Sequence, residues 1–86
     1  ASIVRRECVE ELAEGVEAVV VVGAQHSANT KELVQTAIRK GCPAFLVENE
    51  NSIPDEVFAY NTIGLTAGAS TPESQYLKVK ERLEIR

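Results

Sequence analysis

The chain has little of what marks several specialised protein classes. Its 86 residues include no methionine, no tryptophan and 5% aromatic residues. No apolar run approaches the roughly 20 residues that a membrane-spanning helix needs, and no secretory signal precedes the first predicted helix. We therefore expect a cytoplasmic protein without a membrane partner. The missing initiator methionine leads us to expect that the chain is a piece of a longer protein.

Positive charge and cysteine are also scarce. Nine Lys and Arg against 13 Asp and Glu give a net charge of -4 at pH 7, with a pI of about 4.9. Nucleic acid requires a basic surface, so we expect no nucleic-acid partner. The two cysteines, Cys8 and Cys42, do not form a CxxC pair. This favours reduced thiols in a reducing compartment, and we interpret both as packing residues.

The chain is organised around the stretch from Val19 to Asn29. Its four consecutive valines predict a strand at 18–22 that is buried on both faces, as in a parallel sheet covered by helices. Gly23 ends the run, polar residues follow, and a helical pattern begins near Thr30. Ligands bind beside the carboxyl ends of parallel strands, where helix N-termini favour anions. The turn is therefore a candidate anion site.

Helical and strand patterns alternate along the chain. The pattern predicts helices at 5–15, 30–40, 52–61 and 72–83, and strands at 18–22, 44–47 and 62–65. This alternation predicts a single α/β domain over residues 1–86, a three-layer sandwich with a small parallel sheet. We expect the strand at 18–22 to lie between the other two. Because the pattern opens on a helix, we expect a first strand to be missing.

A second polar turn, at 66–72, follows the last predicted strand. Because parallel strands end at the same edge of a sheet, the two turns and their helix N-termini could converge on one anion. The candidate side-chain donors are Gln25, His26, Ser27, Asn29, Thr66, Ser70 and Thr71. Neither turn contains Lys or Arg, and neither matches a Walker loop or the GxGxxG of a dinucleotide site. Binding would rest on neutral hydrogen bonds and helix dipoles.

The same residues also have a purely structural interpretation as helix caps, the commonest role of such residue types. At the first turn the candidate caps are Ser27, Asn29 and Thr30. At the second turn, Ser70 forms a capping box with Glu73. Thr71 before Pro72 is a rival cap, and the sequence does not choose between them. The acidic loop at 48–52 is interpreted as solvated.

Three segments carry a recognisable family pattern. They read Val-Val-Gly-Ala-Gln-His-Ser-Ala-Asn-Thr, Gly-Cys-Pro-Ala-Phe-Leu-Val-Glu and Ile-Gly-Leu-Thr-Ala-Gly-Ala-Ser-Thr-Pro. With Ala1-Ser2 and Arg5 upstream, they resemble the third, C-terminal domain of the 4-hydroxy-3-methylbut-2-enyl diphosphate reductases, the LytB/IspH family. The resemblance covers essentially the whole chain.

The resemblance implies an enzyme of three similar α/β domains around a central cavity, with an iron–sulfur cluster held by one cysteine from each domain. It implies reductive removal of a hydroxyl from an allylic diphosphate, in isoprenoid biosynthesis by the methylerythritol phosphate pathway. Carried over by position, Ser27, Asn29 and Ser70 match diphosphate-binding residues. Further contacts are expected from the backbone of Ala28, where many members have serine, and from His26 and Thr66.

The chain also departs from the family pattern. The positions that differ are Arg6, Ser74 and Gln75. The resemblance places the third cluster cysteine upstream of Ala1, and neither Cys8 nor Cys42 matches a cluster position. We therefore expect no catalytic residue, metal or cluster on this chain, and no activity from it alone.

Three functional hypotheses result. The first is the diphosphate-binding lobe of this reductase, with an allylic diphosphate as ligand and the upstream domains of its parent chain as partners. The second is a stand-alone module that binds phosphate or sulfate, and the third is an interaction domain without chemistry. A parent reading frame with two upstream domains and three cysteines would favour the first.

Overall fold

The structure, a computed structural model, describes residues 2–5, 9–24, 26–68 and 71–85. The described elements, in chain order, are β1 (Ser2–Arg5), α1 (Val9–Gly15), β2 (Ala18–Val22), α2 (Ala28–Arg39), β3 (Ala44–Val47), a 3₁₀-helix (Asp55–Ala59), β4 (Thr62–Ala67) and α3 (Glu73–Ile85). The described part is thus an α/β fold, as the alternating pattern predicts. No helix within it has the length and apolar character needed to cross a membrane.

The described strands form one parallel sheet in the order β1-β4-β2-β3. Val20 of β2 lies between Phe45 of β3 and Leu65 of β4. The prediction that β2 lies between the other two predicted strands is confirmed. Each strand is parallel to its neighbour because a helical crossover carries the chain back between consecutive strands.

Several element bounds predicted from the sequence differ from those in the structure, and the main differences concern β1, α1 and β4. The strand expected to be missing is present, because Ser2–Arg5 pairs with β4. The first helix begins at Val9 rather than at residue 5. A four-residue strand is too short to show its own periodicity, and long-range pairing decides its structure. Similarly, β4 continues through Ala67 instead of ending at Leu65, because it pairs with the full length of β2.

The valines of β2 alternate between two hydrophobic clusters, one on each face of the sheet. Val19 and Val21 pack with α1 and α2, whereas Val20 and Val22 pack with α3. All four are fully buried, which contributes about 1.5–3 kcal/mol for each side chain relative to leaving it exposed. The unbroken apolar run is therefore explained by helices that cover both faces.

The inner face of α3 consists of Tyr76, Val79 and Leu83, and all three are buried. Two of the departures from the family pattern do not disturb this packing. Ser74 is exposed and Gln75 is half-buried. Both line an open polar groove of about 370 Å³ beside the loop that follows β3. Their polarity is therefore compatible with the core of this chain.

Cys42 lies at the amino-terminal edge of the sheet, two residues before β3 begins. It is buried, and its thiol donates a weak hydrogen bond to the carbonyl of Val16 at 3.7 Å. The preceding Gly41 has a φ of 83°, a left-handed conformation that ends α2 at low cost because glycine has no Cβ. The interpretation of Cys42 as a packing residue is confirmed, whereas Cys8 lies outside the described residues.

Two glycines provide a matched test of this packing. A Cβ at Gly64 of β4 would lie 2.6 Å from Cγ of the buried Leu12, whereas a Cβ at Gly15 would meet nothing within 4 Å. We expect Gly64→Ala to lower the free energy of unfolding by about 1–3 kcal/mol through overpacking. Gly15→Ala should leave it unchanged or raise it by up to about 1 kcal/mol. Urea denaturation measures both, and equal losses would contradict the packing of α1 on β4.

The buried thiol provides a second test. Burial raises the pKa of the Cys42 thiol above its ordinary value of 9.0, so less of the reactive thiolate is present near neutral pH. Iodoacetamide should therefore modify Cys42 far more slowly in the folded chain than in urea. Peptide mass mapping separates this site from Cys8.

The same pKa shift makes stability depend on pH. A thiol whose pKa is higher in the folded state favours folding below pH 9.0, and this contribution is lost as the pH rises from 9.0 through the folded-state pKa. Over that range the free energy of unfolding should decline more steeply for the wild type than for Cys42→Ala, which lacks the thiol. In the iodoacetamide experiment, equal rates of Cys42 modification in the folded chain and in urea would show that the thiol is accessible. In the pH experiment, equal slopes for the wild type and Cys42→Ala would show that its pKa does not differ between the folded and unfolded states.

Candidate functional site

The two polar turns lie side by side at the carboxyl-terminal edge of the sheet. The first turn (residues 23–27) joins β2 to α2, and the second turn (residues 68–72) joins β4 to α3. They are adjacent because β2 pairs with β4 and Val22 lies opposite Ala67. Gln25, Ala69 and Ser70 lie outside the described residues, so the site is described through its other members.

The carbonyl of Val22 ties the second turn to the end of β2. It accepts a hydrogen bond from the backbone N–H of Gly68 at 3.0 Å and another from the hydroxyl of Thr71 at 3.1 Å. The N–H of Thr71 donates in turn to the carbonyl of Gly68 at 3.0 Å. The Thr71 hydroxyl therefore joins the second turn to the last residue of β2. The capping box of Ser70 and Glu73 falls partly outside the described residues.

Ser27 is the N-cap of α2. Its backbone is extended, with φ -75° and ψ 120°, and its hydroxyl oxygen accepts a hydrogen bond from the N–H of Thr30 at 3.3 Å. The capping interpretation is therefore correct for Ser27. A hydroxyl that accepts one bond still has a proton to donate, and Ser27 is only half-buried. Capping and anion contact are consequently compatible in this residue.

The N-terminus of α2 differs electrostatically from those of the other described α-helices. The first turns of α1 and α3 contain acidic residues, among them Glu10 and Glu73, whereas the first turn of α2 contains none. A helix N-terminus carries a partial positive charge and unpaired N–H groups. In α2 no carboxylate of its own first turn neutralises this charge, so the end is suited to an external anion.

The remaining predicted residues occupy different positions around this end. His26 and Ala28 are exposed in the first turn and at the start of α2. Asn29 is also exposed and lines a shallow groove of about 240 Å³ between α1 and α2. Thr66 lies within β4 opposite Val21 and is 9% exposed. Ser27, Ala28 and Asn29 thus follow one another at the start of α2, whereas Thr66 lies within β4.

Thr30, which the sequence indicates only as a possible cap, occupies a different place in the structure. Its residue surface is 1% exposed, and its hydroxyl has no hydrogen-bond partner among the described residues. Oγ1 lies 2.6 Å from where a Cβ would stand on Gly23, and 2.6 Å from the same point on Gly68. The signal available in the sequence was the glycine that begins each turn, which leaves room for a side chain between them.

Curated relatives are longer proteins with one shared name. The chain is 47% identical over 79 residues to the 4-hydroxy-3-methylbut-2-enyl diphosphate reductase of Treponema denticola, covering 92% of this chain and 27% of the relative. It is 46% identical over 81 residues to the protein of that name from Mannheimia succiniciproducens, covering 93% and 26%. The chain therefore spans about a quarter of the length of these relatives.

Solved structures agree with this relationship. A structure of (E)-4-hydroxy-3-methyl-but-2-enyl diphosphate reductase, described as the terminal enzyme of the non-mevalonate pathway, superposes with a TM-score of 0.84 at 28% identity over 91% of this chain and 28% of that one. The E-1-hydroxy-2-methyl-but-2-enyl-4-diphosphate reductase from Plasmodium falciparum superposes with a TM-score of 0.81 at 28% identity, covering 85% and 23%.

A family model described as LytB protein matches residues 1–84. Since this match spans nearly every residue, including both turns of the candidate site, the chain belongs to the LytB family.

Proposed function

We propose that this chain is the diphosphate-binding lobe of a 4-hydroxy-3-methylbut-2-enyl diphosphate reductase and acts in isoprenoid precursor biosynthesis as part of a longer protein. The observation that carries the proposal is that two polar turns lie side by side at the N-terminus of α2, whose first turn contains no acidic residue. The names and lengths of the relatives support it. In this proposal, the residues that carry out the reduction lie in the longer protein, outside this 86-residue chain.

The anion is held by donors from the start of α2. The first N–H groups of a helix have no partner within the helix, which leaves those of Ala28 and Asn29 for a phosphate oxygen. The Ser27 hydroxyl donates its proton to the same group while its oxygen continues to cap Thr30. The Asn29 amide is exposed beside them, and the proposal adds the hydroxyl of Ser70, which lies outside the described residues, as a further donor. The dipole of α2 favours negative charge at this point.

The expected affinity is low, because no Lys or Arg lies in either turn. Each neutral hydrogen bond contributes about 0.5–1.5 kcal/mol net, and an exposed helix terminus about 0.3–1 kcal/mol. Three or four such terms barely exceed the entropic cost of capturing a small ion, so a dissociation constant of about 1 mM is expected for the chain alone. Tight binding by the parent would then require groups from its other domains.

A titration of the chain with inorganic diphosphate, followed by amide chemical shifts, tests the proposal. Shifts should concentrate at residues 24–31 and 66–73. Ser27→Ala and Ser70→Ala should each weaken binding by about fivefold, the effect of one lost hydrogen bond. Ser27→Asp separates the two roles of Ser27, because aspartate caps a helix as well as serine does but repels an anion. This variant should keep the stability and lose the binding.

Ser52→Ala is the matched control, since Ser52 is an exposed serine bonded to Asn49 in the loop after β3. Its diphosphate affinity should equal that of the wild type. Shifts concentrated in this loop, or full binding by Ser27→Asp, would mean that the two turns are only helix caps. The second hypothesis, a stand-alone phosphate module, predicts the same shifts but also a preference for phosphate over diphosphate.

An iron–sulfur cluster is implied by the family resemblance, but the described residues do not fit one. They contain no group of three His, Cys, Asp or Glu side chains that could hold a metal ion. Cys42 lies at the edge of the sheet opposite the two turns, and burial raises the pKa of its thiol. Cluster ligands are thiolates that converge on one site. We therefore assign no step through a cluster to this chain and propose that residues of the parent protein outside this chain hold it.

Anaerobic reconstitution with iron and sulfide checks this assignment. The chain should emerge without stoichiometric iron and without the visible absorbance of a cluster, because its two cysteines are too few for ligation. Cys42→Ser and Cys8→Ser should give the same spectrum as the wild type. A stoichiometric cluster that disappears in either variant would overturn the assignment.

A further inference from the structure

Thr30 has described contacts with both turns of the candidate site. It is the third residue of α2, and its N–H donates to the Ser27 hydroxyl in the first turn. Its side chain packs against Gly23, which begins that turn, and against Gly68, which begins the other. Among the described residues, Thr30 therefore links the orientation of Ser27 to the position of the second turn.

The fit around the Thr30 hydroxyl is tight. Oγ1 lies 2.6 Å from the Cβ position of each glycine, so the hydrogen that occupies that position on each glycine faces the oxygen. A Cβ on Gly23 would also lie 3.0 Å from Cγ2 of Thr30 and 3.2 Å from the hydroxyl of Thr71. An oxygen atom occupies the space between the two glycine backbones, and a methyl group, which is somewhat larger, would need more room there.

The contribution of the buried Thr30 hydroxyl to folding stability does not explain why a threonine stands at this position. A buried polar atom without a partner costs free energy relative to an apolar group that fits the same space, and Oγ1 has no partner among the described residues. The adjoining hydrogen bonds, from Gly68 and Thr71 to the carbonyl of Val22, hold the second turn against the end of β2, where the first turn begins. The oxygen of Thr30 then sets how closely the two turns can approach.

We propose that Thr30 is a positioning residue of the anion site, and that its hydroxyl oxygen sets the distance between the two turns so that donors from both reach one phosphate group. The inference rests on the proposed function, since it assigns a residue to the same site. Thr30 itself touches no ligand, because its oxygen is buried between the glycines. It acts through the Ser27 hydroxyl and through the second turn.

Two substitutions test the role of the Thr30 oxygen, one that removes it and one that keeps it. Thr30→Val replaces the hydroxyl by a methyl group of nearly the same shape and should weaken inorganic diphosphate binding by at least about fivefold, as expected for one misplaced hydrogen bond. Thr30→Ser keeps the oxygen and should restore most of the affinity. Thr36→Val makes the same change two turns later in α2, at a threonine bonded within the helix, and should bind as the wild type does.

A double substitution tests the spacing directly. In Gly68→Ala the new Cβ meets Thr30 Oγ1 at 2.6 Å, whereas the other atoms near it, on Thr71 and on Thr30 Cβ, lie at 3.5 and 3.8 Å. Gly68→Ala should therefore weaken diphosphate binding, and adding Thr30→Ala should recover most of the loss, because the new methyl group fills the space that the hydroxyl leaves. The two changes are then coupled with opposite signs rather than additive.

The outcomes separate the two proposals. If the wild type shows no diphosphate-dependent shifts in the two turns, the proposed function fails, and the inference fails with it. If the wild type binds but Thr30→Val binds equally well, or if Gly68→Ala and Thr30→Ala lose affinity additively, the proposed function stands and the inference is overturned. The folded fraction of each variant is read from the same spectra, so a loss of binding is not confused with unfolding.

Discussion

The parallel pairing of β2 with β4 is the interaction on which the rest of the described structure depends. It places Val22 opposite Ala67, so the first residue of each turn lies beside the first residue of the other. It also leaves the carbonyl of Val22 at the end of its strand, free to accept from Gly68 and Thr71. Backbone groups at a buried strand end need partners, and here the second turn supplies them. The geometry of the site is therefore a consequence of strand register.

The same edge of the sheet combines rigidity with polarity. Helices cover both faces of β2, and its four valines are fully buried, so the strand gives the turns a fixed base. At the turns, hydroxyls serve two purposes at once. Ser27 caps α2 through its oxygen and keeps a proton to donate. Capping and binding are often presented as rival explanations of such residues, but a cap also fixes the direction of the remaining donor, which an anion site requires.

Apolar packing and the polar turns lie at opposite edges of the sheet. The amino-terminal edge holds the apolar packing of Cys42 and the left-handed end of α2 at Gly41. The carboxyl-terminal edge holds both polar turns and an α2 N-terminus without acidic residues in its first turn. This division is the usual one in parallel sheets, where ligands meet the strands at their carboxyl ends. It also places the only described cysteine far from the proposed diphosphate.

The sequence by itself determined the features that depend on local pattern. Four consecutive valines indicate a strand buried on both faces, alternation of helices and strands indicates a parallel sheet, and polar residues after Gly23 and near Gly68 indicate the two turns. The family resemblance rested on these turns together with the segment at 41–48 between them. Ser27 was identified both as a cap and as a candidate donor, because its residue type and its place before a helix are sufficient for that inference.

Only the tertiary structure decided the features that depend on distant partners. The strand Ser2–Arg5 exists because β4 pairs with it, and four residues do not show a period of their own. The hydroxyl of Thr71 bonds to Val22, 49 residues earlier, rather than serving simply as a cap. Thr30 lies between two glycines 45 residues apart in the chain. Such contacts are set by strand register, and no local pattern records them.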